Sequence, residues 1–339
     1  MSSRIVCFET APWERRYLAK ALRPLRVASH FVPEPLTDAS LARARGAAIV
    51  SVFIYSRLTR ALIGRLRGVR LIATRSTGFD HIDLAACRAR KIAVANVPAY
   101  GENTVAEHTF ALILALSRNV HKAYVRTVKG DFSLTGLQGF DLKGKTLGVV
   151  GAGRIGLHVV KMAKGFGMEV LAYDVQKNSF LSEVLDFRYV PLKELLHRSD
   201  IVSLHVPYSP ATHHVMNRET FRLMKRGALL INTARGGLMD THALVEALDR
   251  GIVGGAGLDV LEGEELVKEE RQLLEKDFPK ERLITALKNN ILLHRENVVI
   301  TPHIAFDSRE ALQRILETTV SNIAGFLSGS PANLVATPS

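Results

Sequence analysis

Short apolar runs recur along the chain, separated by stretches in which apolar positions return every three or four residues. Arg4–Phe8, Ala47–Tyr55, Leu71–Thr74 and Ile92–Asn96 are compact and apolar, and they predict strands. Between them, the spacing of Leu58, Leu62, Ile63 and Leu66 predicts a helix. Such alternation implies a mostly parallel sheet covered on both faces. Pro98, Gly101 and Asn103 break the pattern, and Asn103 or Thr104 is placed to cap a long helix through Val105–Arg118. From Thr146 the alternation resumes more strongly, with strands expected at Thr146–Val150, Glu169–Tyr173, Ile201–His205, Ala228–Asn232, Gly255–Asp259 and Val298–Thr301. Glu264–Arg295 is charged and helical in character, with Pro279 expected to interrupt it. Ser308–Leu327 reads as one amphipathic helix, and the tail from Ser328 is expected to be a loose end. The pattern therefore predicts an α/β chain of two doubly wound parallel-sheet domains. The break at Pro98–Asn103 places the first domain boundary at residue 101.

The length of 339 residues and a 47% hydrophobic content suit two packed domains and exclude a disordered chain, a collagen-like repeat or a disulfide scaffold. Two cysteines, Cys7 and Cys87, suit a reducing compartment. The opening MSSRIVCFET lacks a signal-like apolar stretch, and no apolar run approaches the roughly 18–20 residues of a membrane span. A cytoplasmic protein with no membrane partner is the expectation. The net charge of +12 is unevenly placed: residues 1–100 hold 17 Lys+Arg against 6 Asp+Glu. These arginines are scattered, without a run of five or more and with little aromatic interleaving, so they read as a solvated surface that helps attract small anions. No nucleic-acid partner is expected.

Chemistry enters at Gly151-Ala152-Gly153-Arg154-Ile155-Gly156, where a strand gives way to a helix. Gly151 permits a tight turn, Gly153 lets the backbone approach a pyrophosphate, and Gly156 lets helix and strand pack closely. The next strand ends in Asp174, 18 residues after Gly156, where an acid accepts hydrogen bonds from ribose hydroxyls and repels a 2′-phosphate. The combination points to NAD rather than NADP. Three further strand ends deliver an arginine (Arg235), a small acidic cluster (Glu262, Glu264, Glu265) and a histidine (His303) to one edge of the sheet. Arginine supplies a two-pronged grip on a carboxylate, histidine exchanges a hydroxyl proton, and a carboxylate beside it fixes the ring. That is the composition needed to oxidise a hydroxy acid. His213 and His214 are adjacent rather than at helical ligand spacing, so no metal is expected.

These motifs together resemble the D-isomer-specific 2-hydroxyacid dehydrogenase family over almost the whole chain. The arginine motif matches Asn232-Thr233-Ala234-Arg235-Gly236, the acidic motif Leu258-Asp259 followed by Glu264, and the histidine motif Thr301-Pro302-His303-Ile304-Ala305. The resemblance implies Arg235, Glu264 and His303 as the catalytic set, on a Rossmann-type NAD domain of residues 102–302 joined to a flavodoxin-like substrate domain that closes over it, formed by residues 1–101 with 303–339 as the C-terminal return. It implies cofactor contacts at Arg154 and Ile155 (pyrophosphate), Asp174 (ribose), Val206 and Pro207 (adenine), Thr212, Ala234 and Arg235 (nicotinamide ribose) and Asp259 (carboxamide), with Thr233 in the same set. Its substrate loop matches Arg75–Asp83, where the N–H groups of Thr77 and Gly78 bind the substrate carboxylate; Asp80 and Asp83 read as turn and helix-start residues. Asn96–Tyr100, Val105–His108 and His303-Ile304-Ala305-Phe306 resemble D-lactate dehydrogenases most. That implies a 2-oxoacid substrate near Tyr100, a methyl pocket lined by Phe53 and Phe306, and interconversion of pyruvate and D-lactate. Broader glyoxylate, hydroxypyruvate or phenylpyruvate reduction, phosphite oxidation, and an NAD-sensing corepressor role are the alternatives. The family resemblance also implies a homodimer, for which the apolar helix Thr104–Leu116 is a candidate surface.

Overall fold

The computed structural model describes residues 4–264 and 280–337. It divides into two units, Met1–Tyr100 with Ser308–Ser339, and Gly101–Asp307. The second crossing thus falls beyond the 302/303 boundary expected from the sequence, because the segment after Thr301 is tied by hydrogen bonds to Asp259 of the second unit.

In the first unit, strands β1 (Arg4–Cys7), β2 (Ala28–Phe31), β3 (Ile49–Val52), β4 (Leu71–Thr74) and β5 (Ala93–Ala95) pair in parallel in the order β2-β1-β3-β4-β5. This is the flavodoxin-like order. Alternation across the pleat sends Val6, Val50, Ile72 and Val94 to one face and Ile5, Ile49, Leu71 and Ala93 to the other, and helices bury both sets. A strand buried on two faces has no solvent side, which is why IVSV and LIAT read as near-continuous apolar runs, with only Ser51 and Thr74 polar. Asp83 caps the helix Leu84–Ala89 by accepting the N–H of Ala86, the helix-start role expected of it. Both cysteines are buried and free, and burial raises each thiol to about 11.

Two elements escaped the apolar pattern. β2, Ala-Ser-His-Phe, is an edge strand with no fully buried residue. The tail is not a loose end: Leu334–Ala336 pairs antiparallel with β5 and closes the other edge of the sheet.

The second unit carries β6 (Thr146–Val150), β7 (Glu169–Tyr173), β8 (Arg188–Tyr189), β9 (Ile201–Leu204), β10 (Ala228–Asn232), β11 (Val253–Leu258) and β12 (Val298–Ile300), all parallel, in the order β12-β11-β10-β9-β6-β7-β8. This is the Rossmann order with one added edge strand. The short β8 was not expected from the sequence. The long helix spans Glu102–Ser117 and starts at Gly101 without a side-chain cap, so neither Asn103 nor Thr104 is its N-cap. Its Phe110, Leu112, Ile113 and Leu116 pack in the core against Val149, Val159 and Ile231, so the helix expected as a dimer surface is interior. The amphipathic helix near the C-terminus spans Arg309–Leu327 and is capped by Ser308. Of the charged stretch, helix Lys280–Leu293 is described, while Glu265 and Pro279 lie outside the described residues. No described helix is long and apolar enough to cross a membrane.

Candidate active site

The β6 turn behaves as its glycines require. Gly151 has φ +100, and a Cβ there would lie 2.7 Å from the His205 carbonyl carbon, so the ends of β6 and β9 meet at this point. A Cβ on Gly156 would fall 2.0 Å from the Gly151 oxygen, whereas one on Gly153 meets nothing within 4 Å. Gly151 and Gly156 are thus required by packing. Gly153, the N-cap of helix Arg154–Gly165, borders open space at a helix N-terminus suited to a pyrophosphate. Asp174, just beyond β7, accepts the N–H of Ala152 and of Gln176 at 2.8 Å each, which locks its carboxylate beside the glycine turn. Arg154 projects outward toward Glu102 at 3.5 Å, and Ile155 packs on the core. After β9, Val206 packs on the core, Pro207 is exposed, and the Thr212 hydroxyl donates to the Pro207 carbonyl at 2.7 Å, closing the loop. The Thr233 hydroxyl is buried against that of Thr109 at 3.0 Å, and the Ala234 N–H donates to Asn232. Burial pushes the His205 imidazole down to about 3, so it stays neutral beside Ser203.

At the same strand edge, Arg235 precedes the turn Gly236–Leu238 and donates one guanidinium N–H to the Ala234 carbonyl at 2.7 Å. A Cβ on Gly236 would lie 2.1 Å from the Leu261 oxygen, so the arginine and acid loops are in direct backbone contact. His303 sits in the left-handed region at φ +59, with Nδ1 2.8 Å from the Glu264 carboxylate. Phe306 meets the His303 ring edge-to-face at 6.3 Å. The structure separates the acidic cluster: Glu262 faces His214 at 2.7 Å and accepts the Thr241 hydroxyl, while Glu264 serves His303. His213 stacks on His214 at 3.8 Å, and no group suited to hold a metal occurs among the described residues. Asp259, expected at the carboxamide, is 1% exposed. Its oxygens accept the Thr301 hydroxyl and the N–H groups of Ile304 and Ala305, so it anchors the loop that strains His303 into position. His108, 3.0 Å from Thr301, supports the same anchor from the long helix.

The first unit holds the proposed anion loop at the carboxyl end of β4. Among the described residues the N–H groups of Thr77 and Gly78 meet no acceptor. Sequence reasoning missed two supports here. Arg75 is almost wholly buried and donates to the carbonyls of Phe8 and Glu9. The Glu9 carboxylate in turn accepts the N–H of Phe53 and of Tyr55 at 2.8 Å each, holding the loop that presents Phe53. Their partners lie too far along the chain for any spacing rule to register. Tyr100 ends this unit's first segment, its carbonyl accepting from Arg314 at 2.5 Å.

Comparison with known proteins matches residues 110–305 to the family model "D-isomer specific 2-hydroxyacid dehydrogenase, NAD binding domain". The chain belongs to the D-isomer-specific 2-hydroxyacid dehydrogenase family. It is 37% identical over 338 residues to a 2-hydroxyacid dehydrogenase homolog of Haemophilus influenzae, covering 99% of this chain and 100% of that one. It is 35% identical over 331 residues to the D-lactate dehydrogenase of Escherichia coli, covering 96% and 97%. The D-lactate dehydrogenase of Aquifex aeolicus, solved with NAD and lactic acid, superposes with a TM-score of 0.88 at 39% identity, covering 99% and 100%. The cofactor of this NAD-dependent dehydrogenase family is NAD, and the residues present fit it: the glycine turn leaves open space only at Gly153, and Asp174 stands beside it.

Proposed function

We propose that the chain is a D-lactate dehydrogenase interconverting pyruvate and D-lactate. The observation that carries the reading is the His303–Glu264 pair at 2.8 Å on the same sheet edge as Arg235. Arg235 grips the substrate carboxylate with its fork of N–H donors and polarises the C2 carbonyl. Glu264 receives the Nδ1–H of His303 and so fixes the ring, leaving Nε2 to deliver a proton to the carbonyl oxygen in reduction and to take it from the hydroxyl in oxidation. NAD(H), when bound, supplies the hydride exchanged at C2. The turn shaped by Gly151 and Gly156, with Gly153, Arg154 and Ile155 at its open face, would hold the pyrophosphate, Asp174 the ribose, and the 206–212 and 233–235 segments the two ends. In the first unit, Thr77 and Gly78 offer a carboxylate two further N–H donors, with Tyr100 and Phe53 in the same substrate-binding role; in the second unit, Phe306 offers apolar surface to a methyl group.

Purified protein mixed with NADH and pyruvate, followed at the reduced-nicotinamide absorbance, tests this directly. Rapid loss of NADH, and oxidation of D- but not L-lactate in reverse, is the expected result. A strong preference for phenylpyruvate, hydroxypyruvate or glyoxylate overturns the lactate assignment, and NADH binding without turnover of any oxoacid overturns the enzymatic one.

A further inference from the structure

We infer that Asn96 is a positioning residue that aims the substrate-binding amides of Thr77 and Gly78, and that it is braced from the chain's C-terminal tail through Asn322 and Asn333. The inference rests on the proposed 2-oxoacid reading of that loop. In a planar trans peptide unit the C=O of one residue and the N–H of the next point in opposite directions. Whatever holds the Ser76 carbonyl therefore sets the direction of the Thr77 N–H, and whatever holds the Thr77 carbonyl sets that of Gly78. Both carbonyls are held by one neighbouring segment. The Val97 N–H donates to the Ser76 carbonyl at 3.0 Å, and the Asn96 side-chain amide donates to the Thr77 carbonyl at 2.8 Å. Both N–H groups are thereby turned away from the 96–97 segment, and among the described residues neither meets an acceptor.

Asn96 is itself fixed. It is 6% exposed, and its carbonyl accepts from the side-chain amide of Asn322, 2% exposed, at 2.8 Å. The Asn322 side-chain oxygen accepts from Asn333 at 2.8 Å, and the Asn96 N–H donates to the Asn333 carbonyl at 3.1 Å. Asn333 stands at φ +54, the turn that leads into the tail strand. Each side-chain amide in this series donates toward the loop, and the side-chain oxygen of Asn322 receives from the tail. Thr77 adds a clasp of its own, its hydroxyl donating to the Val97 carbonyl at 2.8 Å.

Asn96→Asp keeps the shape but replaces the donor with a carboxylate facing a carbonyl. Steady-state kinetics of the full-length enzyme with pyruvate should show KM raised about tenfold or more, the equivalent of one lost hydrogen bond and a misaimed amide. Saturated kcat should stay within about twofold and the NADH Kd unchanged, because the nucleotide-binding unit is untouched. Asn333→Gly, which tolerates the left-handed turn and removes only the outermost donor, should raise KM about threefold, and it serves as the reading should Asn96→Asp fail to fold. An unchanged KM in the folded variant, or a matching change in NADH affinity, overturns the inference. If the wild-type protein binds NADH yet reduces no oxoacid, the functional reading fails, and the loop is then read by amide NMR with oxamate. Shifts of Thr77 and Gly78 in wild type that are lost in Asn96→Asp support the positioning role; equal shifts in both, or none in wild type, overturn it.

Discussion

Arg235→Gln preserves length and polarity while deleting the forked cation. It should lower kcat/KM by about two to three powers of ten, the effect of losing a bidentate charge-assisted grip, and leave NADH binding nearly intact. Stopped-flow binding and steady-state rates on one preparation check both halves, and unchanged turnover would remove Arg235 from the mechanism. His205 carries a second prediction. Its folded value of about 3 lies below the ordinary value near 6.5, so the unfolded chain takes up a proton first as pH falls. The stability present above pH 6.5 is therefore lost on acidification toward 3, by up to about 1.4 kcal/mol per pH unit. The melting temperature should drop more steeply from pH 6.5 to 5 in wild type than in His205→Asn, and parallel slopes would refute the assignment. Residues with local signatures, such as the glycine turn, Asp174, Arg235 and His303, were legible in the sequence. What Glu9, Arg75, His108 and Asn322 hold was not, because each acts on a partner far along the chain.

Strands buried on both faces announced themselves through compact apolar runs and helices through apolar positions three or four apart, and the central strands fall where those runs lie. The failures sit at edges. β2 and the tail strand bury little side chain, so their pairing is set by the backbone of the neighbouring strand rather than by their own composition. The glycine turn offers a test that separates packing from ligand approach. Gly156→Ala forces a Cβ against the Gly151 carbonyl and should destabilise the nucleotide-binding unit by about 1–3 kcal/mol, lowering the melting temperature. Gly153→Ala meets open space, so it should melt like wild type while binding NADH at least about tenfold more weakly, since its methyl occupies the approach of the pyrophosphate. Equal melting temperatures for the two variants would contradict this division.

The excess positive charge belongs to the first unit, whose residues 1–100 hold 17 Lys+Arg against 6 Asp+Glu, consistent with attraction of small anions at low salt. Of helix Glu102–Ser117, read from the sequence as a candidate dimer surface, Phe110, Leu112, Ile113 and Leu116 are buried within the chain itself. Exposed apolar residues lie just after it instead: Tyr124, Val128, Phe132 and Leu134 are 69%, 69%, 77% and 83% exposed. Light scattering should give the mass of two chains, and Tyr124→Glu with Val128→Glu should give one; a dimer indifferent to both changes would place the interface elsewhere. By itself the sequence determined the two α/β units and the cofactor turn, and it offered the arginine, acid and histidine of the candidate site. Each of these is a local pattern, imposed by two-sided burial or by the needs of a strand-end turn. Only the tertiary structure decided what anchors the His303 loop, and that the tail closes a sheet and reaches the Asn96 segment beside the proposed anion loop. Those choices depend on which distant segments share a sheet edge, and that is settled by strand order rather than by spacing along the chain.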